Sequence, residues 1–393
     1  MLNLAKEALK KHALLVVLLI TMLVFEVLLA QAGRGSLFSA HNLTNLIGQN
    51  GYVVILAIGM LLCIISGGNI DLAVGGIVIL VGAVAGTLIV EWGLNPFVSI
   101  LLCLLIGIII GAWQGFWIAY VGIPAFIVTL AGMLTFRGVA LILMNSQNIG
   151  PFPLEYRNLF NSFLPAHWLS EPDADLIFLS TLVVGILLSL AILSVKIFSY
   201  IQRKRKGYAV SPTEFVSVFV VCAGILFLFY RLGQHNGMPA VLILLGVIFL
   251  VYNYFTQNTV LGRHLYAMGG NAKAAHFSGI NTKRILFFAY ANNGFLASVA
   301  ALVVVARFNQ ASTQAGMGFE LDAIAACFIG GASAYGGIGK VGGVVIGAIF
   351  MGVLNMGMSL LGADQNLQRV INGLVLLAAV TFDVVSKNRK SAV

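Results

Sequence analysis

Long apolar stretches separated by short polar segments dominate the sequence from end to end. Most of them are about 18–22 residues long, which suits an α-helix that crosses the hydrocarbon core of a bilayer. Strands of a transmembrane barrel would instead alternate over about 10 residues. The pattern predicts an all-α, polytopic transmembrane bundle of about 12 crossings, in which 319–331 is a broken or tilted helix. The candidate spans are residues 13–31, 52–66, 72–90, 97–120, 125–144, 175–198, 214–231, 239–256, 285–306, 319–331, 341–361 and 369–386.

Composition supports the membrane class. Hydrophobic residues make up 60% of the chain and charged residues only 9%, whereas soluble domains carry about 25% charge. The net charge of +9 is interpreted as a topology signal, so no nucleic-acid partner is expected. The four cysteines lie singly in apolar runs and are interpreted as small core residues.

Basic residues fix the predicted orientation. With the N-terminus inside, most lysines and arginines fall in cytoplasmic segments, as the positive-inside rule requires. Both termini are then cytoplasmic. The chain is predicted to be one permease domain, 1–393, with a periplasmic loop at about 145–175 and cytoplasmic loops at about 199–213 and 257–284. The residues placed inside are Lys6, Lys10, Lys11, Lys196, Arg203, Lys204, Arg205, Lys206, Arg263, Lys273, Lys283, Arg284, Lys340, Lys387, Arg389 and Lys390.

The basic run at 203–206 has two interpretations. It is a plain topology signal, or it also binds anionic lipid headgroups.

Glycine is abundant, with 44 residues, and two glycine-rich breaks interrupt the apolar runs. The first break is residues 66–76 and the second break is residues 330–343; each ends in Val-Gly-Gly, which indicates a weak internal repeat. Broken helices in corresponding places of two halves line the pathway in many transporters. Glycines four apart within spans favour close helix packing, either inside one chain or at a dimer interface. The candidates in the breaks are Gly67, Gly68, Gly330 and Gly331.

Arg137 lies inside an apolar span, where an arginine is costly unless it faces protein or water. The candidate counter-ions are Asp71, Glu320 and Asp322. Asp71 lies in the first break, and the other two lie in the broken segment 319–331. These charges form either a structural ion pair or the lining of a polar pathway.

One stretch, residues 261–284, is distinctly polar and is called the polar segment below. Asn271 is predicted to cap a short helix over residues 272–278, which Gly279 ends. Phe277, Leu265 and Met268 are predicted contact points for a groove in a partner protein. A helix lying on anionic lipid is the alternative.

Catalytic motifs are missing from the sequence. Gly339 and Lys340 are followed by Val341 rather than by the Ser or Thr of a nucleotide-binding loop, and the histidines have no metal-binding spacing. We therefore expect no enzymatic activity, no catalytic or metal residues and no cofactor on this chain.

Several motifs together resemble one family. Residues 262–280 (GRHLYAMGGNAKAAHFSGI), 66–75 (SGGNIDLAVG), 124–138 and 320–331 are similar to sugar-type ABC importer permeases, the family of ribose, arabinose, galactoside and xylose permeases. Residues of about 150–235 add a pair of spans that most such permeases lack. The chain therefore most resembles the longer xylose and multiple-monosaccharide permeases.

The resemblance implies a type II ABC importer-like fold in a bacterial inner membrane. It implies a homodimer, two copies of a sugar-type ATPase that carry the ATP and Mg²⁺, and a periplasmic or lipid-tethered sugar-binding protein. The transported solute would be a monosaccharide such as xylose. Permeases for branched-chain amino acids, nucleosides or autoinducers remain alternatives, as does a secondary transporter that works alone. The residues that the resemblance assigns to ATPase coupling are Gly262, Arg263, Gly269, Gly270, Asn271, Ala274, Ala275, Ser278 and Gly279.

Overall fold

The computed structural model describes residues 13–165, 173–205 and 213–391. Lys6, Lys10, Lys11 and Lys206 lie outside these residues. Within them the chain forms fifteen α-helices and one pair of two-residue strands. The helices are α1 (Ala13–Gln31), α2 (Ala40–Ile65), α3 (Val74–Gly86), α4 (Pro96–Phe116), α5 (Ala125–Leu143), α6 (Leu154–Asn161), α7 (Ala174–Arg205), α8 (Thr213–Gly233), α9 (Ala240–Asn258), α10 (Val260–Gly270), α11 (Ala272–Phe277), α12 (Thr282–Phe308), α13 (Phe319–Ile329), α14 (Val341–Leu360) and α15 (Gln365–Ser391).

Each predicted span corresponds to one of these helices. In the described part of the chain, ten helices are long and apolar enough to cross a membrane. Helix α3 reaches that length because it continues as π-helix to Glu91, and α4 continues in the same way to Val121. The other two spans are α8, with a shorter apolar part at Val218–Gly233, and α13, with 11 residues. The predicted polytopic helical fold, including the short 319–331 segment, is confirmed.

The chain divides into two units. The first unit comprises Met1–Ile47 and Ser162–Leu242. In its described part, α7 and α8 pack together through Gly185, where an added Cβ would lie 2.6 Å from the Cβ of Phe229. The strands β1 (Phe163–Leu164) and β2 (Met238–Pro239) pair antiparallel beside this hairpin.

The second unit comprises Gly48–Asn161 and Ile243–Val393, and glycines set its helix packing. On α4, a Cβ at Gly111 would overlap the Tyr290 carbonyl of α12 and lie 3.0 Å from the Gly294 Cα; a Cβ at Gly294 would in turn lie 2.8 Å from the Gly111 Cα. Gly347 of α14 likewise approaches the backbone of α13 at Ala326. These glycines support close packing inside one chain. The prediction of one domain over 1–393 stays a prediction.

Candidate functional site

Asparagine and threonine caps shape the polar segment. Thr259 begins α10 by accepting a hydrogen bond from the Gly262 N–H at 3.1 Å. Asn271 begins α11 in the same way, with its Oδ1 3.0 Å from the Ala274 nitrogen. Such caps satisfy N–H groups that a helix leaves free at its first turn. The predicted role of Asn271 as an N-cap is confirmed.

Gly279 ends the short helix. Its φ is +85°, in the left-handed region that glycine enters without steric cost. The Gly279 N–H donates to the His276 carbonyl at 3.0 Å and the Ile280 N–H to the Ala275 carbonyl at 3.1 Å, which is the pattern of a Schellman motif. Helix α11 ends at Phe277, one residue before the predicted end, because Ser278 is the C-cap.

The two helices of the polar segment differ in burial. In α10, Leu265 and Met268 are buried inside the chain together with Gly262. The prediction that Leu265 and Met268 are contact points for a partner is therefore wrong. In α11, Phe277 is 87% exposed. The remaining predicted coupling residues divide accordingly: Ala275 is buried, Gly269 is half-buried, and Arg263, Gly270, Asn271, Ala274, Ser278 and Gly279 are exposed.

Helix α10 meets the end of α2 and the second break through backbone contacts. A Cβ at Gly269 would overlap the Ile65 carbonyl. The same carbonyl accepts a hydrogen bond of 3.0 Å from the Gly337 N–H. A Cβ at Gly337 would in turn lie 2.8 Å from the Gly270 nitrogen. Close approach of three backbones leaves room only for glycine at these positions.

Next to these contacts of α10, the first break packs directly against the second break. A Cβ at Gly336 would lie 2.7 Å from the Gly67 Cα, and one at Gly68 would overlap the Ala334 carbonyl. We call this cluster of Gly67, Gly68, Gly269, Gly336 and Gly337 the glycine junction. Sequence analysis predicted both breaks and the polar segment but missed that they meet. The glycine density of all three stretches, on one predicted side of the membrane, was the available signal.

A tyrosine adds a side-chain bond next to the glycine junction. The Tyr266 hydroxyl donates to the Gly339 carbonyl at 2.7 Å. Tyr266 lies on α10 and Gly339 lies in the second break. The polar segment is thus held to the second break by a hydrogen bond as well as by packing.

The other two predicted glycines of the second break have different surroundings. A Cβ at Gly330 would lie 2.6 Å from the Gly343 carbonyl oxygen and from the Val344 Cα, at the packing of α13 on α14. Gly331 has a φ of +84° and no described atom within 4 Å of its Cβ position. Gly330 is therefore required by space and Gly331 by backbone conformation.

The structure places Asp71 with amides rather than with Arg137. Asp71 is fully buried; its Oδ1 accepts from the Ala73 N–H at 2.8 Å and its Oδ2 from the Asn293 side chain at 2.7 Å. Arg137 instead lines a cavity of about 10 Å³ together with Glu320, close enough to act on that carboxylate electrostatically. Glu320 is thus the predicted counter-ion that the fold brings to Arg137.

Comparison with known proteins now identifies the class. Residues 42–380 match the family described as the permease component of branched-chain amino acid transport systems. The chain belongs to this permease family. The resemblance to sugar-type ABC importer permeases is confirmed, and this permease is a multi-pass membrane protein.

Curated relatives align with nearly the whole permease. The xylose transport system permease of Haemophilus influenzae is 36% identical over 377 residues, covering 95% of this chain and 96% of the relative. The xylose permease of Escherichia coli K12 is 36% identical over 361 residues, covering 90% and 88%. The ribose import permease of the same strain is 33% identical over 346 residues, covering 88% and 86%. No solved structure matches the chain.

In this permease Asp322 is held by polar side chains from other helices. Its Oδ1 accepts from the Asn372 amide at 3.2 Å, and Asn372 also donates to Asn355 at 2.9 Å. The Tyr52 hydroxyl lies 3.4 Å from its Oδ2. Asp322 thereby ties α13 to α2 and α15. Sequence analysis missed these amide and hydroxyl partners, since single polar residues in apolar spans have no distinctive pattern.

Within residues 13–165, 173–205 and 213–391, no group of three or more His, Cys, Asp or Glu side chains could hold a metal ion. The expectation that ATP and Mg²⁺ bind a partner subunit stays a prediction.

Proposed function

We propose that this permease is the transmembrane subunit of an ATP-binding-cassette importer that carries a monosaccharide, xylose or a similar sugar, across the bacterial inner membrane. The full-length similarity to xylose permeases supports this substrate class. A separate ATPase drives transport, and the permease itself catalyses no reaction.

The observation that carries the proposal is the division of the polar segment into an exposed and a fixed half. Helix α11 presents Phe277, Ala274 and Lys273 at the surface. Helix α10 is packed into the glycine junction, next to both breaks. Only Asn271 separates the two helices, so a partner that displaces α11 would pull on α10, which is in direct backbone contact with the breaks. Rigid elements in contiguous contact are a physical route for such coupling.

The proposed assembly follows from this arrangement. Two permease chains form the central path, and two ATPase subunits bind their polar segments on the cytoplasmic side, where both termini also lie. A periplasmic or lipid-tethered binding protein delivers the sugar on the opposite side. ATP-driven closure of the ATPases moves the polar segments and alternates access to the path.

Reconstitution tests the proposal. Proteoliposomes that contain the permease, its ATPase and its binding protein should take up radiolabelled xylose only with ATP. Ala274→Glu places charge and bulk on the exposed side of α11 and should lower uptake at least tenfold while the protein remains folded. Ala174→Glu, at the exposed start of α7, is the matched control and should retain uptake. Uptake that persists with Ala274→Glu would contradict this use of α11.

The same vesicles distinguish this importer from the alternative transport functions. A stand-alone secondary transporter would accumulate solute without the ATPase. A different solute is the second candidate, because the ribose permease is 33% identical over 346 residues and the family description names branched-chain amino acids. Unlabelled xylose, ribose and leucine should compete for uptake in that order if xylose is the substrate. Strongest competition by ribose or leucine would overturn the assignment of xylose and keep the importer class.

A further inference from the structure

Helix α7 is longer than a membrane crossing requires. It has 32 residues, a length of about 48 Å at 1.5 Å per residue, whereas the hydrocarbon core is about 30 Å thick. Asp173, which precedes the helix, and Asp175 in its first turn are both exposed. About three turns at the other end therefore reach the headgroup region or extend beyond it.

The packing of α7 stops well before its end. Its buried residues are Ile177, Thr181, Gly185 and Ser189, spaced four apart on the face that meets α8. None of the residues after Ser189 in α7 is buried. This last part of the helix has a surface that the described chain does not cover.

The charged residues in the last part of α7 are all basic. Lys196, Arg203, Lys204 and Arg205 are all exposed. The sequence holds no aspartate or glutamate between Asp175 and Glu214, so the charge that this stretch carries is entirely positive. Lys196, Arg203 and Lys204 lie seven and eight residues apart and share one face of the helix.

Apolar side chains accompany the charges. Val195, Phe198 and Ile201 are 67%, 64% and 43% exposed, and they continue the apolar surface of the span toward the basic end. Side chains of this kind insert among acyl chains while lysine and arginine reach the headgroups. An acidic protein partner would match the charges but would not explain an apolar stripe that is continuous with the span.

We propose that residues 196–205 form a binding site for anionic phospholipid, in which the basic side chains contact the headgroup phosphate and Phe198 and Ile201 contact the acyl chains. The attraction of such clusters to anionic lipid is established physical chemistry. The proposal involves none of the residues of the polar segment and does not depend on which solute the permease carries.

Lipid binding by the purified full-length permease tests the site. Nanodiscs that contain phosphatidylglycerol and nanodiscs with phosphatidylcholine alone provide the two lipid conditions. A fluorescent phosphatidylglycerol reports binding. The triple variant R203Q/K204Q/R205Q should bind this probe at least tenfold more weakly than the wild type. The variant R34Q/R231Q/R369Q removes three charges elsewhere and should bind like the wild type. Equal binding by the first variant and the wild type would overturn the proposal.

Salt gives a second measurement that needs no variant. Because the contacts are ionic, raising the salt concentration from 0.1 to 0.5 M should weaken binding of the wild-type permease to phosphatidylglycerol severalfold. Binding that is insensitive to salt, or equal in phosphatidylcholine, would also refute the site. Neither measurement uses ATP or sugar, so the outcome is independent of the proposed transport function.

Discussion

Helices α10 and α11 are adjacent in the chain, yet different forces hold them in place. Helix α10 is fixed by packing: Leu265 is completely buried and Gly269 lies against the backbone of Ile65. Helix α11 has six residues, of which only Ala275 is buried, and it is bounded by the N-cap Asn271 and by the turn at Gly279. A helix this short is not stable in water by itself. Its position therefore depends on the caps and on the continuity with α10 and α12.

Gly269 and Gly279 show the same difference between the two helices. Gly269 is required because any side chain would collide with neighbouring backbone, and its φ is not in the positive region. Gly279 has open space around its Cβ position, with no described atom within 4 Å, but its φ is +85°. The first glycine is needed for close packing and the second for a backbone conformation. Substitution of Gly269 should therefore destabilise the packing of α10, whereas substitution of Gly279 should strain the backbone at the end of α11.

Gly269→Ala should have the largest effect. The added methyl overlaps the Ile65 carbonyl and lies 2.5 Å from the Gly337 nitrogen; both are backbone atoms and cannot rotate away. A cost of about 3 kcal/mol or more is expected from such overpacking. The thermal midpoint and the yield of monodisperse protein in detergent should both fall. Gly270→Ala is the control, since its Cβ position is open; equal losses for both variants would contradict the glycine junction.

Phe277→Ala should weaken binding of the ATPase without unfolding the permease. The ring is 87% exposed, so its removal costs the folded chain little. If it occupies a pocket of the partner, its loss should cost about 2 kcal/mol, or roughly 30-fold in Kd. Titration of the purified ATPase into permease nanodiscs measures this. Phe308→Ala, which removes a 52% exposed ring at the C-terminal end of α12, should leave the Kd unchanged. An unchanged Kd for Phe277→Ala would remove this residue from the interface.

Gly279→Val should loosen α11 while the rest of the fold stays intact. A β-branched residue in the left-handed region costs about 1–2 kcal/mol. Amides of α11 should exchange hydrogen faster in mass-spectrometric measurements, and uptake should fall. Gly279→Asn should behave almost like the wild type, because asparagine tolerates this conformation. If valine and asparagine were equally tolerated, the positive φ would not matter in the working protein.

Local rules explain what could be predicted from the sequence. Asn271 and Gly279 bound α11 through contacts with residues three or four positions away, so the sequence alone indicates both ends. The glycine junction differs, because it joins residues near 67, 269 and 336 that are far apart in the chain. Glycine content shows that close approach occurs, but a glycine has no side chain whose chemistry identifies its partner.

The error at Leu265 and Met268 has a related cause. An apolar stripe on a helix has the same spacing whether it packs against its own chain or against another protein. The placement of Arg137 near Glu320 rather than near Asp71 likewise depends on how distant parts of the chain pack together. Asp71 is instead held by Asn293, an amide in an apolar span. A single sequence gives candidate charges in such cases, and the three-dimensional packing selects among them.

Asn271→Ala should have the smallest effect and tests whether the caps alone position α11. The variant removes the hydrogen bond from the Ala274 N–H, which is 3.0 Å long, at a cost of about 1 kcal/mol. Hydrogen exchange should accelerate at the first turn of α11, and the Kd for the ATPase should rise about fivefold, while the thermal midpoint of the permease hardly changes. Asn271→Ser restores an acceptor oxygen and should recover most of the affinity. If alanine and serine gave the same affinity, packing rather than capping would hold α11, and the contrast between the two helices would fail.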